Sequence, residues 1–355
     1  MKKKILLFLK ILISGILVYL VFRFSDLDLK KTLIVLKTTN PLWASLCLVF
    51  ISATIFTNAY RWMILANLLD YNLTYPKALR MYFESSFTNN VLPTNFGGDA
   101  IRAFDLGRTD KSWLRAASTV LMERFLGFSM MFSLVPIGLI TSKFTRFKDC
   151  LPLPVETALW ASFTMMVFSV IGYGLWSKIP LGFIQKIKYA ITEYTKCHKS
   201  LSKVILWTFI THVFFIGGCI CSGLAVGLSF SVVPWWYWLV FIPSATLASF
   251  VIPSIKGAGA REVSFIYFLN LISVSGDKAL AIAIIGLLAT MISTLPGISI
   301  VFRKMKLGAV VQEEATHEQE ELEKITPKKS SKKPSKKPKA GKTAVSAHSS
   351  TYTEE

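Results

Sequence analysis

One short segment of the chain combines residues that break helices with residues that carry charge. This first motif, residues 92–102, reads LPTNFGGDAIR, so Pro93 is followed by Gly97 four residues later and then by Asp99 and Arg102. The two charged residues are three apart on a helix, where they can pair or point together into a cavity. Glycine at a helix start leaves backbone N–H groups free, a geometry that suits an anion such as a phosphate.

A second motif repeats this arrangement later in the chain. Residues 252–262 read IPSIKGAGARE, and a shift of 160 positions places Pro253 on Pro93 and Gly257 on Gly97. Broken helices at corresponding positions of two halves of a membrane protein point to a transport site near the middle of the bilayer.

Ionisable residues accompany both motifs at positions that the surrounding apolar residues place within the membrane. Charges at that depth are costly, and they usually line a functional cavity or pair with each other. The predicted substrate-binding residues are Glu84, Asn95, Gly97, Gly98, Asp99, Arg102, Glu123, Arg124, Lys256, Gly257, Arg261 and Glu262, with Pro93 and Pro253 as the helix breaks. The alternative interpretation is that these charges form internal salt bridges that lock the helices together.

Three further polar positions receive other interpretations. Glu123 and Arg124 are adjacent, cannot share a helix face and are expected to find different partners. Arg61, beside Trp62, is predicted to be an anchor that extends toward the cytoplasmic face. His212 is predicted to be a hydrogen-bonded packing residue within an apolar span.

Composition gives the class of protein. Of the 355 residues, 52% are hydrophobic and 17% are charged, and apolar residues occur in runs of about twenty. The five cysteines are scattered, with no metal-ligand spacing, and no catalytic Ser/His/Asp or Cys/His set or nucleotide-binding loop is visible. The sequence therefore predicts a helical membrane protein without cofactor, metal site or catalytic residues.

The apolar runs predict an all-α polytopic membrane protein with about six full spans. These spans are residues 5–24, 42–65, 116–140, 157–176, 204–228 and 279–302, each with about the 20 residues that cross a bilayer. Residues 78–106 and 235–274 each consist of two limbs of about 15 residues, which rise only about 22 Å. We expect these two regions to be re-entrant helical hairpins rather than pairs of full crossings.

Charge asymmetry orients these elements. We expect both termini to be cytoplasmic and each hairpin to return to the side from which it enters. With this arrangement, lysine and arginine are concentrated in the cytoplasmic loops, as the positive-inside rule requires. The first hairpin then enters from the cytoplasm and the second from outside. The chain divides into two halves of opposite orientation, residues 1–141 and 157–302, joined by an external loop of residues 142–156.

The remaining segment, residues 303–355, differs in composition. An acidic run is followed by a Lys/Pro-rich run, a composition that cannot bury enough apolar surface to fold. A disordered, solvated cytoplasmic tail is predicted, and no nucleic-acid partner is expected.

These motifs, in this order, resemble the lysylphosphatidylglycerol synthase transmembrane region, also called the flippase-like integral membrane family, over about residues 5 to 302. The resemblance implies a multi-pass inner-membrane protein that moves lipids between leaflets. Within the second motif the chain departs from the family pattern, which more often has a second glycine close to Gly257.

The residues and the resemblance together predict a flippase, without enzymatic activity, for a phospholipid or polyprenyl-phosphate-linked lipid with an anionic headgroup. One alternative is a non-transporting lipid-binding accessory protein that recruits partners through its basic tail. A second is a lipid-modifying enzyme that uses Glu84, Asp99 or Glu123 as acid or base, although no nucleophile or metal cluster accompanies them.

The predicted inverted repeat can be tested by chemical labelling. On a background without native cysteines, Asn95→Cys should react with a membrane-impermeant thiol reagent from the cytoplasmic side, and Ile255→Cys should react from the outer side. The reason is that the two hairpins enter the membrane from opposite faces. Labelling of both positions from the same face would contradict the repeat.

Overall fold

A computed structural model describes residues 29–91, 97–110, 113–145, 198–251 and 259–302, with isolated residues at positions 152, 156, 157, 159, 160, 164 and 194. All regular secondary structure in these ranges is helical. The predicted span 5–24, most of the span 157–176 and the tail lie outside the described residues. The centres of both motifs, residues 92–96 and 252–258, also lie outside them.

Ten helices are described. They are α1 (Leu29–Lys37), α2 (Pro41–Asn67), α3 (Tyr75–Val91), α4 (Gly97–Asp110), α5 (Trp113–Ser133), α6 (Val135–Ser142), α7 (His198–Ala225), α8 (Trp235–Val251), α9 (Ala260–Asn270) and α10 (Gly276–Thr294).

Four segments are long and apolar enough to cross a membrane. These are Pro41–Asn67, Arg115–Ser142, Ser200–Ala225 and Gly276–Thr294. They coincide with four of the predicted spans, which are confirmed as long apolar helices. The last is shorter than predicted, because α10 ends at Thr294 and a turn at Leu295 separates it from a further helical segment, residues 296–302. Pro296 has no N–H to continue the helix.

The ends of α2 are fixed by local hydrogen bonds. At the start, the side chain of Asn40 accepts a hydrogen bond from the backbone N–H of Leu42 at 2.9 Å, and Pro41 occupies the first turn. After the end, the amide of Asn67 donates to the backbone carbonyl of Leu73 at 2.9 Å and accepts from its N–H at 2.6 Å. These bonds hold the reversal that returns the chain into α3.

Helices α2 and α7 form the most extensive helix pair. Gly217 and Gly218 on α7 lie against Phe50 and Ile51 on α2, where an added Cβ at Gly218 would lie 2.8 Å from Ile51 Cδ1. Small residues at such contacts let two membrane helices approach closely. This pair supports the helices that carry the charged residues.

The two limbs of the first predicted hairpin, α3 and α4, also pack against each other. A Cβ added at Gly98 would lie 1.9 Å from the backbone carbonyl oxygen of Ser85, so only glycine fits at this crossing. The backbone N–H of Gly98 donates to Asn89 Oδ1 at 2.7 Å. The α3–α4 contact thus sets the position of the next residue, Asp99.

We predict that Gly98→Ala destabilises the protein by about 1–3 kcal/mol, because the methyl group meets backbone rather than a side chain that can rotate. Gly286→Ala on α10 is the matched control, since nothing lies within 4 Å of its added Cβ. The control should be neutral or stabilising by up to about 1 kcal/mol through helix propensity. Apparent melting temperatures in detergent provide the comparison, and equal values for the two variants would exclude the close approach.

Candidate functional site

A cavity of about 380 Å³ lies among the apolar helices. Seven of them, α2, α3, α4, α5, α7, α8 and α10, contribute to its lining. The lining combines amide and hydroxyl side chains, such as Asn58, Asn89 and Thr290, with apolar ones, such as Phe128 and Phe215. A polar cavity at this position is unusual for a protein core and is typical of a binding site.

Glu123 on α5 is the centre of the charged network beside this cavity. Its Oε1 accepts from Arg61 Nη2 at 3.0 Å and from the Tyr82 hydroxyl at 3.1 Å. Its Oε2 accepts from Arg102 Nη2 at 2.7 Å. One buried carboxylate therefore joins α2, α3, α4 and α5.

Arg102 is enclosed behind the wall of the cavity. Its guanidinium carbon lies 4.5 Å from the ring centre of Trp62 and 4.5 Å from that of Tyr82, and only 1% of its side chain is exposed. The Trp62 indole is itself fixed by a 3.0 Å hydrogen bond from Nε1 to Thr119 Oγ1. Aromatic rings around a guanidinium stabilise it by cation–π attraction. Arg102 thus contributes to the network rather than to the described cavity lining.

Asp99 on α4 forms the second carboxylate centre. Its Oδ2 accepts from both Nε and Nη2 of Arg124, at 2.9 and 2.6 Å. Its Oδ1 makes longer contacts, at 3.4 Å to Ser85 Oγ and 3.5 Å to Asn89 Nδ2 and to Arg102 Nη2. Unlike Arg102, Arg124 lines the cavity, and 34% of its side chain is exposed.

The network has a formal charge of +1. It consists of two carboxylates and three guanidinium groups, those of Asp99, Glu123, Arg61, Arg102 and Arg124. The expected pairing of Asp99 with Arg102 is present at 3.5 Å. The expectation that Glu123 and Arg124 find different partners is also confirmed. At the cavity itself, the most exposed of these charged groups is the Arg124 guanidinium, which can meet an anion.

Arg61 corrects an expectation from the sequence. Instead of extending to the cytoplasmic face, its side chain lies inside the protein, 6% exposed, and it contacts Glu123 and Thr208 Oγ1. Glu123 also lies in an apolar span, and opposite charges at that depth often pair, so Glu123 was a signal that could have suggested an inward position for Arg61.

Several other lining residues were not predicted as site residues. They include the polar side chains Asn58, Tyr82, Ser85, Asn89, Thr211 and His212. His212 makes the expected hydrogen bond, between Nδ1 and the Thr208 carbonyl at 2.7 Å, but it also lines the cavity. Amides and hydroxyls give no sequence signal of their own, because they become identifiable only when the helices bring them together.

The two predicted residues of the second motif that the structure describes, Arg261 and Glu262, make no contact with this network. Arg261 Nη2 contacts Glu262 Oε1 at 3.0 Å and the Ala283 carbonyl at 3.4 Å. Glu262 Oε2 accepts from the backbone N–H of Gly259 at 2.7 Å, which caps the start of α9. Neither side chain belongs to the described lining of the cavity.

The remaining predicted residues have different positions. Glu84 is buried on α3 and Gly97 begins α4, and neither is part of the described lining. Asn95, Lys256, Gly257, Pro93 and Pro253 lie outside the described residues. Within the ranges that the structure covers, no three His, Cys, Asp or Glu side chains are arranged to hold a metal ion.

The chain matches the family model of the lysylphosphatidylglycerol synthase transmembrane region over residues 7–297. The chain belongs to this family. A UPF0104 membrane protein of Methanothermobacter thermautotrophicus is 23% identical over 291 residues, which cover 73% of this chain and 82% of the relative. A UPF0104 membrane protein of Archaeoglobus fulgidus is 28% identical over 137 residues, which cover 38% of this chain and 40% of the relative.

The lysylphosphatidylglycerol synthase transmembrane match includes all helices from α1 to α10 and every residue that lines the cavity. The resemblance inferred from the motifs is confirmed. This family member is therefore a membrane protein whose charged network and cavity both lie within the family region.

We predict that Glu123→Gln destabilises this protein by about 3–5 kcal/mol, because it leaves Arg61 and Arg102 buried without their shared counter-charge. Glu156→Gln is the matched control. Glu156 pairs with Lys143 at 2.8 Å, and 52% of the lysine side chain is exposed, so this loss should be about 0–1 kcal/mol. Apparent melting temperature and the amount of protein in the membrane measure both effects. A similar small loss in the two variants would contradict a structural role for Glu123.

Proposed function

We propose that this protein is a flippase that moves a lipid with an anionic headgroup, a phospholipid or a polyprenyl-phosphate-linked lipid, between the leaflets of the inner membrane without a chemical reaction. The observation that carries the proposal is the Arg124 guanidinium, which reaches a polar cavity among apolar helices and remains 34% exposed. Planar guanidinium donors match the oxygens of a phosphate in a bidentate contact.

The composition of the cavity supports a headgroup as its occupant. Amide and hydroxyl groups such as Asn58, Ser86 and Thr211 offer hydrogen bonds, whereas Met131 and Phe215 offer apolar contact. A lipid can place its headgroup among the polar residues while its tails stay in the bilayer. Arg124 is the proposed main contact, with Arg61 beside it and Arg102 as a positioning residue.

The finer topology is part of the same proposal. We expect six full spans and two oppositely oriented re-entrant hairpins, formed by α3–α4 and α8–α9. Helix α3 has 17 residues and α9 has 11, so they rise about 25 and 16 Å, less than the about 30 Å of a bilayer core. Both termini are proposed to be cytoplasmic.

Helix packing supports two related halves. If α2, α3, α4 and α5 correspond to α7, α8, α9 and α10, the same helix contacts occur twice. The contact of α4 with α5 corresponds to that of α9 with α10, and the contact of α2 with α10 corresponds to that of α7 with α5. In the same way α3 contacts α10 and α8 contacts α6, which continues the span begun by α5. The α2–α7 pair lies on the proposed axis. Rocking of such halves against each other would open the cavity to either leaflet.

An enzymatic role has less support. Asp99 and Glu123, the carboxylates that line the cavity, are both engaged by guanidinium groups, an arrangement that balances charge. General acid or base catalysis needs a group able to exchange its proton with a substrate. We therefore propose transport without covalent chemistry.

Reconstituted vesicles provide the test. The purified full chain is placed in liposomes that contain phosphatidylglycerol labelled with nitrobenzoxadiazole, and dithionite measures how fast the label changes leaflet. Arg124→Ala should lower the rate about 10–100-fold, the equivalent of one lost charge-assisted contact of about 1.5–3 kcal/mol. Arg124→Lys should restore only part of it, because an ammonium cannot form the bidentate contact.

Arg115→Ala is the matched control for this experiment. It removes the same charge from the same helix, but Arg115 pairs with the exposed Asp70 at 3.6 Å and is not part of the described cavity lining. Its rate should match that of the unmodified chain. Equal rates of leaflet exchange with and without the protein would contradict the flippase. A second test is removal of residues 307–355: if the truncated chain still moves lipid in vesicles but no longer functions in cells, the accessory role is favoured.

A further inference from the structure

The two carboxylates of the network are held very differently. Glu123 accepts three hydrogen bonds of 2.7–3.1 Å from Arg61, Arg102 and Tyr82, groups that are themselves enclosed. Among the residues that the structure describes, Asp99 has short contacts with Arg124 alone, and its other oxygen has contacts of 3.4–3.5 Å. Glu123 is therefore a fixed counter-ion, whereas the position of Asp99 depends on Arg124.

Arg124 is also the guanidinium that an incoming anion would meet. Its side chain is 34% exposed, compared with 6% for Arg61 and 1% for Arg102. Both donors that it directs at a carboxylate, Nε and Nη2, converge on Asp99 Oδ2. A phosphate that takes the same two donors must displace the carboxylate.

A second cationic partner for the displaced carboxylate lies close by. Arg102 lies three residues further along α4, with Nη2 at 3.5 Å from Asp99 Oδ1. Its Nε and Nη1 are buried and have no hydrogen-bond partner among the residues that the structure describes. Buried donors without a partner are costly, so a closer approach of Asp99 to Arg102 is favourable once Arg124 binds another anion.

We infer that Asp99 is a displaceable counter-ion of the transport site, which links α4 to α5 through Arg124 when the site is empty and moves to Arg102 when an anionic phosphate binds Arg124. This inference rests on the proposed function and specifies how that site selects its ligand. Binding then breaks the ion pair between the hairpin limb α4 and the span α5. A zwitterionic headgroup carries its own cation, which competes with Arg124 for the phosphate, so the exchange favours anionic headgroups over zwitterionic ones.

Direct binding measurements test the exchange. Isothermal titration calorimetry on the detergent-solubilised full chain uses dioctanoyl phosphatidic acid as the probe and dioctanoyl phosphatidylcholine as the zwitterionic comparison. Asp99→Asn should bind phosphatidic acid about 10–100-fold more tightly than the unmodified chain, because the competing charge is gone. Asp99→Glu keeps the competing charge and should show no such gain.

Asp105→Asn is the control for net charge. It removes one negative charge from the same helix at a position that is not among the described lining residues, and it should leave the affinity unchanged. An equal gain in Asp105→Asn and Asp99→Asn would overturn the exchange, because a general electrostatic effect would then explain both.

The outcomes separate this inference from the proposed function. If Arg124→Gln abolishes binding but Asp99→Asn binds no more tightly than the unmodified chain, the flippase site stands and the exchange is wrong. If neither the unmodified chain nor Asp99→Asn prefers phosphatidic acid to phosphatidylcholine, both are wrong. Inorganic phosphate is the third probe. If Asp99→Asn binds inorganic phosphate more tightly than the unmodified chain does, and neither binds phosphatidic acid, the exchange is supported and lipid transport is contradicted.

A distance measurement needs no change at Asp99 and remains decisive if Asp99→Asn does not fold. Spin labels at Phe104→Cys on α4 and Ile137→Cys on α6, both exposed positions, are placed on a background without native cysteines. Saturating phosphatidic acid should change the distance between the labels, whereas phosphatidylcholine should not. An unchanged distance distribution with bound phosphatidic acid would overturn the release of α4 from α5.

Discussion

A buried carboxylate shared by two buried guanidinium groups is the interaction on which the packing of α2, α3, α4 and α5 depends. Glu123 lies on an apolar span, where an unpaired charge is strongly unfavourable. Its pairing with Arg61 and Arg102 satisfies three ions at once and joins α2, α4 and α5. Tyr82 adds α3. The same contacts that neutralise charge therefore hold the helices in register.

The close packing of α3 and α4 follows from this requirement. Asp99 and Arg102 can reach their partners on α5 only if α4 lies tightly between α3 and the span, and Gly98 permits that approach by presenting no side chain to Ser85. Trp62 and Tyr82 then enclose Arg102 from two sides. Because Arg61 and Arg102 are both held by Glu123, Arg124, at the cavity, is the most exposed of the three network arginines.

Hydropathy was sufficient to predict the long apolar helices, and the i, i+3 spacing was sufficient to predict the pairing of Asp99 with Arg102. The inward position of Arg61 was not predicted, because a long cationic side chain can extend to either environment and only the fold decides. Arg261 and Glu262 were expected to contribute to the same site as the first motif. Spacing alone could not show that Glu262 caps its own helix at Gly259, since that depends on the backbone conformation of the glycine, whose φ is 84°.

The resulting asymmetry between the halves bears on how the proposed transport would work. In the first half, charges from α2, α4 and α5 converge at the cavity, whereas in the second half Arg261 is paired with its neighbour Glu262. Among the described residues, α7, α8 and α10 contribute hydroxyl groups to the lining, including Thr211, Thr246 and Thr290. In the proposed transport, related packing would supply the rocking motion, and the described charged groups that would recognise the headgroup lie on α2, α4 and α5. A headgroup held by charge on one side and by hydroxyls on the other is bound through few strong contacts, and a site with few strong contacts can release its ligand to the opposite leaflet when the halves move.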